Sequence, residues 1–305
     1  MYQGVVVLNK EPGFTSFDAV AVCRGIFGQR AVGHTGTLDP MARGVLPICL
    51  GRATKLSDIL TSSEKEYEVE MELGRSTDTD DITGRVTEEA STEALGHLTE
   101  EKIRHALLGY IGESLQVPPK YAAIKKDGKK LYEYARAGVE VEMTGRPITI
   151  HELEILDVRC LAHPVVCFRV RCSKGTYIRS LCRDVGMDLG VGGIMTSLLR
   201  RSTGGFSLEE AVTLDQLKEA KTQGRLEQYV RPMDQLLGHF PALNCREEAK
   251  KLLINGNPLR PGNVVGKDSL TDGSYYRIYL MGELTALYRY NAARGLLLNE
   301  KMLKT

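Results

Sequence analysis

A chain of 305 residues exceeds the size at which a single hydrophobic core usually stops growing, so a large domain with a smaller companion is expected. Its 42% hydrophobic and 26% charged content is that of an ordinary globular protein, and no stretch approaches the roughly 20 apolar residues a membrane helix needs, which argues against a membrane role. The formal charge of +1 argues against binding nucleic acid by bulk electrostatics and leaves room only for local basic faces.

The chain begins Met1-Tyr2-Gln3-Gly4-Val5-Val6-Val7-Leu8, which reads as a strand over 5–8 and not as a basic leader, so a cytoplasmic protein is expected. A helix fits 17–27, with Phe17, Val20, Cys23 or Arg24 and Phe27 near helical spacing and Ser16 as the N-cap. The loop Gly33-His34-Thr35-Gly36-Thr37-Leu38-Asp39-Pro40 comes next. Gly33 and Gly36 permit close approach or positive φ, and Pro40 stiffens the chain after the carboxylate of Asp39. Spacing alone leaves two readings: an acid held in a fixed direction, or an Asx turn in which Asp39 merely caps the next few residues.

Residues 66–74 alternate strictly, Tyr67, Val69, Met71 and Leu73 against four glutamates, and predict a half-buried strand. Thr99 caps a predicted helix carrying Ile103, Leu107, Tyr110 and Ile111. Residues 165–172 are strand-like, and Ser173-Lys174-Gly175 breaks them before a helix with Ile178, Leu181 and Val185 inward. That helix places Tyr177 and Arg179 at its N-terminus, where the helix dipole opposes a cation, so a partner carboxylate is expected for Arg179. Thr213 with Gln216 forms a capping box ahead of Leu214 and Leu217. After Phe240 short strands alternate with turns such as Asn255-Gly256-Asn257-Pro258 and Asp272-Gly273-Ser274, which fits a small β-barrel appendage. Strands and helices without regular βαβ alternation point to an α+β fold. Seven scattered cysteines without a C-x-x-C pair predict reduced thiols, with no disulfide framework and no metal site.

Five ordered motifs carry a resemblance. They are Asn9-Lys10-Glu11-Pro12-Gly13-Phe14-Thr15-Ser16; the GHTGTLDP loop with Met41-Ala42-Arg43-Gly44-Val45-Leu46-Pro47-Ile48-Cys49-Leu50-Gly51; Arg75-Ser76-Thr77-Asp78-Thr79-Asp80-Asp81; Val117-Pro118-Pro119-Lys120-Tyr121-Ala122-Ala123-Ile124-Lys125; and Ser173-Lys174-Gly175-Thr176-Tyr177-Ile178-Arg179. Together they resemble the bacterial tRNA pseudouridine-55 synthases. The resemblance implies a mixed, largely antiparallel central sheet flanked by helices over 1–238, with an RNA-clamping insertion near 118–147, and a PUA-like RNA-binding barrel over 239–305.

It further implies isomerisation of a T-loop uridine in tRNA to pseudouridine, with Asp39 as nucleophile or base, Arg179 as its partner cation and Tyr67 stacked on the target base. The GHTG histidine, His34, would enter the space of the flipped uridine, Tyr177 and Leu198 would enclose the nucleotide, and Lys10 would add positive potential or support the site. No cofactor, metal or protein partner is implied, and the chain is expected to act as a monomer on the T arm of tRNA. Lys120, Lys125, Lys126, Lys129, Lys130 and Arg136, interleaved with Tyr121, Tyr132 and Tyr134, match the clamp. Its phosphate contacts would position RNA while the flipped base is inspected. The rival reading is a non-catalytic RNA-binding or tRNA-folding protein on the same scaffold, which would tolerate Asn at position 39.

Overall fold

The fold is that of a computed structural model, which describes residues 1–61, 64–122, 124–126, 128–139, 141, 143–160, 162–266 and 269–304. A ten-stranded sheet dominates it. Its path runs Arg231–Pro232, Gly4–Lys10, Arg43–Leu50, Gly193–Thr203, Lys65–Leu73, Val165–Cys172, Arg146–Arg159 and Gly112–Gln116, with Val32–His34 and Phe206–Ser207 paired off that path. Every strand pairing in it is antiparallel except one, between Arg43–Leu50 and Gly193–Thr203, where Leu199 faces Arg43 and Arg200 faces Gly44. The backbones come so close there that a Cβ at Gly44, whose φ is +105°, would lie 2.3 Å from the Arg200 carbonyl oxygen. Only glycine fits that crossing.

The strand predicted over 66–74 spans Lys65–Leu73 and buries every second residue, Lys65 included. Its outward glutamates meet arginines of neighbouring strands: Glu68 with Arg201 at 3.2 Å and Glu70 with Arg159 at 2.8 Å. Such half-exposed pairs set register and solubility more than stability. The inward side joins a core with the helices Ser16–Phe27, Glu100–Leu108, Ile178–Asp188 and Leu214–Thr222. Thr99 and the Thr213–Gln216 capping box start their helices as expected.

The first helix is capped by Thr15, which forms a capping box with Asp18, and not by Ser16. Ser16 is buried and bonded elsewhere, to Leu38. Phe17, expected on the inward face, is exposed and lies edge-on to His34, with ring centroids 5.4 Å apart. Ala19, Val20, Cys23, Ile26 and Phe27 form the buried stripe instead.

The C-terminal residues form a separate five-stranded sheet in the order Val264–Val265, Ala242–Cys245, Tyr275–Leu280, Glu283–Asn291 and Leu296–Met302. Its outer strands do not pair with each other, so the expected barrel is open among the described residues. It encloses its own core around Tyr276, Ile278 and Tyr288, while Leu287 and Leu303 pack with Val5, Val7 and Val45 of the large sheet. Among the described residues no helix is long and apolar enough to cross a membrane, and no group of three or more His, Cys, Asp or Glu is placed to hold a metal ion.

Candidate active site

The Asp39 loop joins Val32–His34 to Arg43–Leu50, and three side chains from other segments hold it by its backbone. Ser16 Oγ donates to the Leu38 carbonyl at 3.1 Å and accepts from the Leu38 amide at 2.9 Å. Lys10, fully buried, directs its ammonium to the carbonyls of Glu11 (2.9 Å), Pro40 (3.0 Å) and Ala42 (2.8 Å). Arg200, also fully buried, donates to the carbonyls of Val45 (2.7 Å), Gly36 (3.0 Å) and Thr37 (3.5 Å). Gly36 takes φ +76°, while Gly33 needs no positive φ. With the backbone anchored on both sides of it, Asp39 points in one direction.

That direction is towards Arg179. Arg179 Nη2 donates to Asp39 Oδ1 at 3.0 Å and Nε lies 2.9 Å from Oδ2, so the guanidinium spans both carboxylate oxygens. The remaining donors of Arg179 reach the carbonyls of Thr79 (3.1 Å) and Tyr121 (3.0 Å), and Asp81 Oδ2 stands 3.9 Å away. Arg179 is buried in the first turn of Ile178–Asp188, where the helix dipole disfavours it; Asp39 supplies the opposing charge. Burial pushes the Asp39 carboxyl above its ordinary value, opposed by Arg179 and, more weakly, by Lys10, while Asp81 adds to the rise. The Asp39 side chain keeps about a third of its surface accessible, 34%, so the charge is enclosed by protein yet open to a ligand.

The opening is a cavity of about 770 Å³ lined by Asp39, Arg179, Tyr67, Tyr177 and Leu198 among others. A second cavity of about 500 Å³ shares Asp39, Arg179, Tyr121 and Leu198, so the ion pair stands in a wall common to both. Tyr67 enters from Lys65–Leu73, directly across from Arg200. Burial pushes the Tyr67 phenol up to about 12, so it stays protonated at neutral pH. The Tyr177 backbone is clamped by Gln116, whose amide accepts from the Tyr177 N–H at 2.8 Å and donates to its carbonyl at 3.0 Å.

Five of the seven expected residues thus converge, and two do not line this cavity. Lys10 supports the loop from within, with all three of its ammonium hydrogens engaged by carbonyls. His34 lies beside the loop against Phe17, with Nδ1 buried and unbonded among the described residues; burial and Arg200 push its pKa down, so its ring is neutral at physiological pH. Of the clamp, Tyr121 reaches the Asp39 cavity, and Lys120, Tyr121 and Tyr134 line a neighbouring cavity of about 680 Å³. The side chains of Lys125, Lys126, Lys130, Tyr132 and Arg136 lie outside the described residues.

Ser16, Gln116 and Arg200 escaped the sequence reading. For Arg200 a signal existed: it alternates with Leu198 on one strand face, so an inward leucine implies an inward arginine. For Gln116, whose partners are 61 residues away, no local pattern exists.

With this geometry in place, the chain matches the N-terminal domain of TruB family pseudouridylate synthase over residues 24–178 and the tRNA pseudouridylate synthase B C-terminal domain over 179–238. Similar proteins named tRNA pseudouridine synthase B occur in Alkaliphilus oremlandii, 41% identical over 92% of this chain and 90% of that one, in Aromatoleum aromaticum, 46% identical over 84% and 80%, and in Burkholderia mallei, 41% identical over 99% and 97%. A solved archaeal box H/ACA small ribonucleoprotein complex of Nop10 and Cbf5 contains a chain with TM-score 0.72 and 27% identity, covering 99% of this chain and 86% of its own. The chain belongs to the TruB family of pseudouridylate synthases.

Proposed function

We propose that this enzyme converts a uridine in the T loop of tRNA, position 55, to pseudouridine, with Asp39 as the nucleophile or base acting on a flipped-out nucleotide. The tRNA substrate is supported by the names of its relatives. The observation that carries the role of Asp39 is its two-oxygen contact with Arg179 in the wall of a cavity lined by Tyr67 and Leu198.

The isomerisation breaks the bond from N1 to C1′ of the ribose and forms one from C5 to the same carbon. C5 loses its proton and N1 gains one, so nothing is oxidised and atoms balance. The detached base must turn without escaping, which favours a walled site and a carboxylate that adds to C6 or acts at the sugar. Either route needs Asp39 ionised, and Arg179 opposes the effect of burial on it. Tyr67 offers a neutral aromatic face for the base. Tyr177 and Leu198 bound the nucleotide, and neutral His34 occupies the stack left by the flipped base, as a stacking and hydrogen-bonding group. The open sheet from about residue 239 and the 118–147 segment hold the tRNA arm from either side of the catalytic work, and the chain acts as a monomer.

Incubation of a T-arm RNA with wild-type and Asp39→Asn protein tests the reading. Pseudouridine is expected at the T-loop uridine with wild type alone, at unchanged RNA affinity. Equal conversion by the variant refutes the role of Asp39, whereas RNA binding without conversion by either protein favours a scaffold that only binds RNA.

A further inference from the structure

The cavity at Asp39 is lined by four cations, Lys65, Arg146, Lys174 and Arg179, and one carboxylate, Asp39. Arg179 is committed to Asp39, and Lys65, Arg146 and Lys174 line the rest of the wall. A uridine base is neutral, so a base alone does not account for a positive wall. A nucleotide inserted base-first brings its own phosphates with it.

Lys65 is the cation the fold places most narrowly. It stands two residues before Tyr67 on the same buried face of the strand, roughly 7 Å along it, comparable with the span from a base to its own phosphate. Only 8% of Lys65 is exposed, and its stem runs against the catalytic loop: a Cβ at Gly36 would come within 3.7 Å of Lys65 Cε. Its ammonium donates to the Thr61 carbonyl at 3.4 Å. Lys65 also borders a furrow of about 400 Å³ lined by Glu64 and Arg171, which pair with each other, and by Ser202, Gly204, Phe206 and Ser207. It therefore sits where a strand of RNA would pass from the cavity to the surface.

Burial, Arg200 and Lys174 all disfavour the charged form of Lys65, a cost that an incoming anion relieves. Taking the cavity as the seat of the flipped uridine, as the proposed function has it, we propose that Lys65 binds one of the two phosphates flanking that uridine. The contact fixes the depth of insertion, so that the base stops at Tyr67 and Asp39. Lys65 is then a substrate-binding residue of the same site, and Lys174 and Arg146, both exposed, hold the RNA at the rim.

The test pairs an uncharged phosphate with an uncharged side chain. T-arm RNAs carrying one methylphosphonate, 5′ or 3′ of the target uridine, are measured for affinity and single-turnover conversion with wild type, Lys65→Met and Lys65→Arg. One of the two methylphosphonates is expected to weaken wild-type binding about tenfold, as loss of a charge-assisted contact should. Lys65→Met should bind native RNA about tenfold less tightly, ignore that methylphosphonate, and show a salt slope smaller by about one. Lys65→Arg should restore the sensitivity. Losses that multiply at both positions, or native affinity in Lys65→Met, overturn the proposal. Should Lys65→Met fail to fold, Lys65→Gln, which keeps length and polarity, is read against the same two outcomes. Conversion of native RNA by wild type tests the underlying reading separately, because the coupling is measured by affinity even where no pseudouridine forms.

Discussion

Replacing Arg179 separates what its charge does from what its shape does. The guanidinium spans both oxygens of Asp39, at 3.0 and 2.9 Å, and also reaches the Thr79 and Tyr121 carbonyls. Lysine keeps the charge, but a single ammonium cannot bridge a carboxylate with a planar fork. A hydrogen bond to a charged group is worth about 1.5–3 kcal/mol, so losing one oriented contact in Arg179→Lys should lower kcat/KM roughly ten- to 100-fold. Arg179→Met also removes the cation that opposes burial at Asp39. A neighbouring cation typically holds a carboxyl down by about 1–3 units, so its removal lets the Asp39 pKa climb. Because the role proposed for Asp39 requires its ionised form, a higher pKa moves the acid limb of the rate profile to higher pH. Single-turnover pseudouridine formation across the acid, neutral and mildly alkaline range should thus show Arg179→Met weaker than Arg179→Lys at neutral pH and partly recovering as pH rises. An acid limb unmoved in Arg179→Met, with folding verified by circular dichroism, would refute the electrostatic role of Arg179.

Three further substitutions address the supports of the site. Ser16→Ala removes both bonds to Leu38 inside the protein and should cost about 1–3 kcal/mol in urea denaturation, with kcat falling more than KM rises. Burial lowers the Lys10 pKa to about 8, so wild-type activity should decline above that pH as an ammonium hydrogen is lost from the carbonyls of the Asp39 loop. Lys10→Met should be less active throughout and lack that alkaline decline. His34→Ala should weaken productive RNA binding more than the bond-making step measured at saturation; equal loss in both, with reduced thermal stability, would mark His34 as a folding residue.

The elements most legible in the sequence were those with a strong local period or a local cap. The alternation around Tyr67 identified its strand and its inward face, and the Thr213–Gln216 box identified a helix start. The first helix shows how that logic fails. Thr15 and Ser16 are both good caps, and local chemistry does not choose between them; the choice is made by Leu38, 22 residues away, which engages the Ser16 hydroxyl. Phe17 departs from its helical spacing for a related reason, since its neighbour His34 belongs to a strand whose position no helical periodicity reports. The open edge of the C-terminal sheet likewise depends on pairing between distant strands, which short turns between them do not specify.

The site obeys the same division. Asp39, Arg179 and Tyr67 could be named from motifs, yet what holds Asp39 in place is a set of contacts to backbone atoms. Carbonyls of Gly36, Thr37, Pro40 and Ala42 are present whatever side chains those positions carry, so the loop's path depends on the donors that reach it and much less on its own side chains. Those donors, Lys10 and Arg200, are buried charges, costly to enclose and tolerable because each is surrounded by carbonyl oxygens. The cost brings rigidity to a loop that lacks regular structure of its own. Lys10 also opposes the effect of burial on the Asp39 carboxyl while leaving that carboxyl's open side for a ligand, so support and electrostatic tuning come from one side chain.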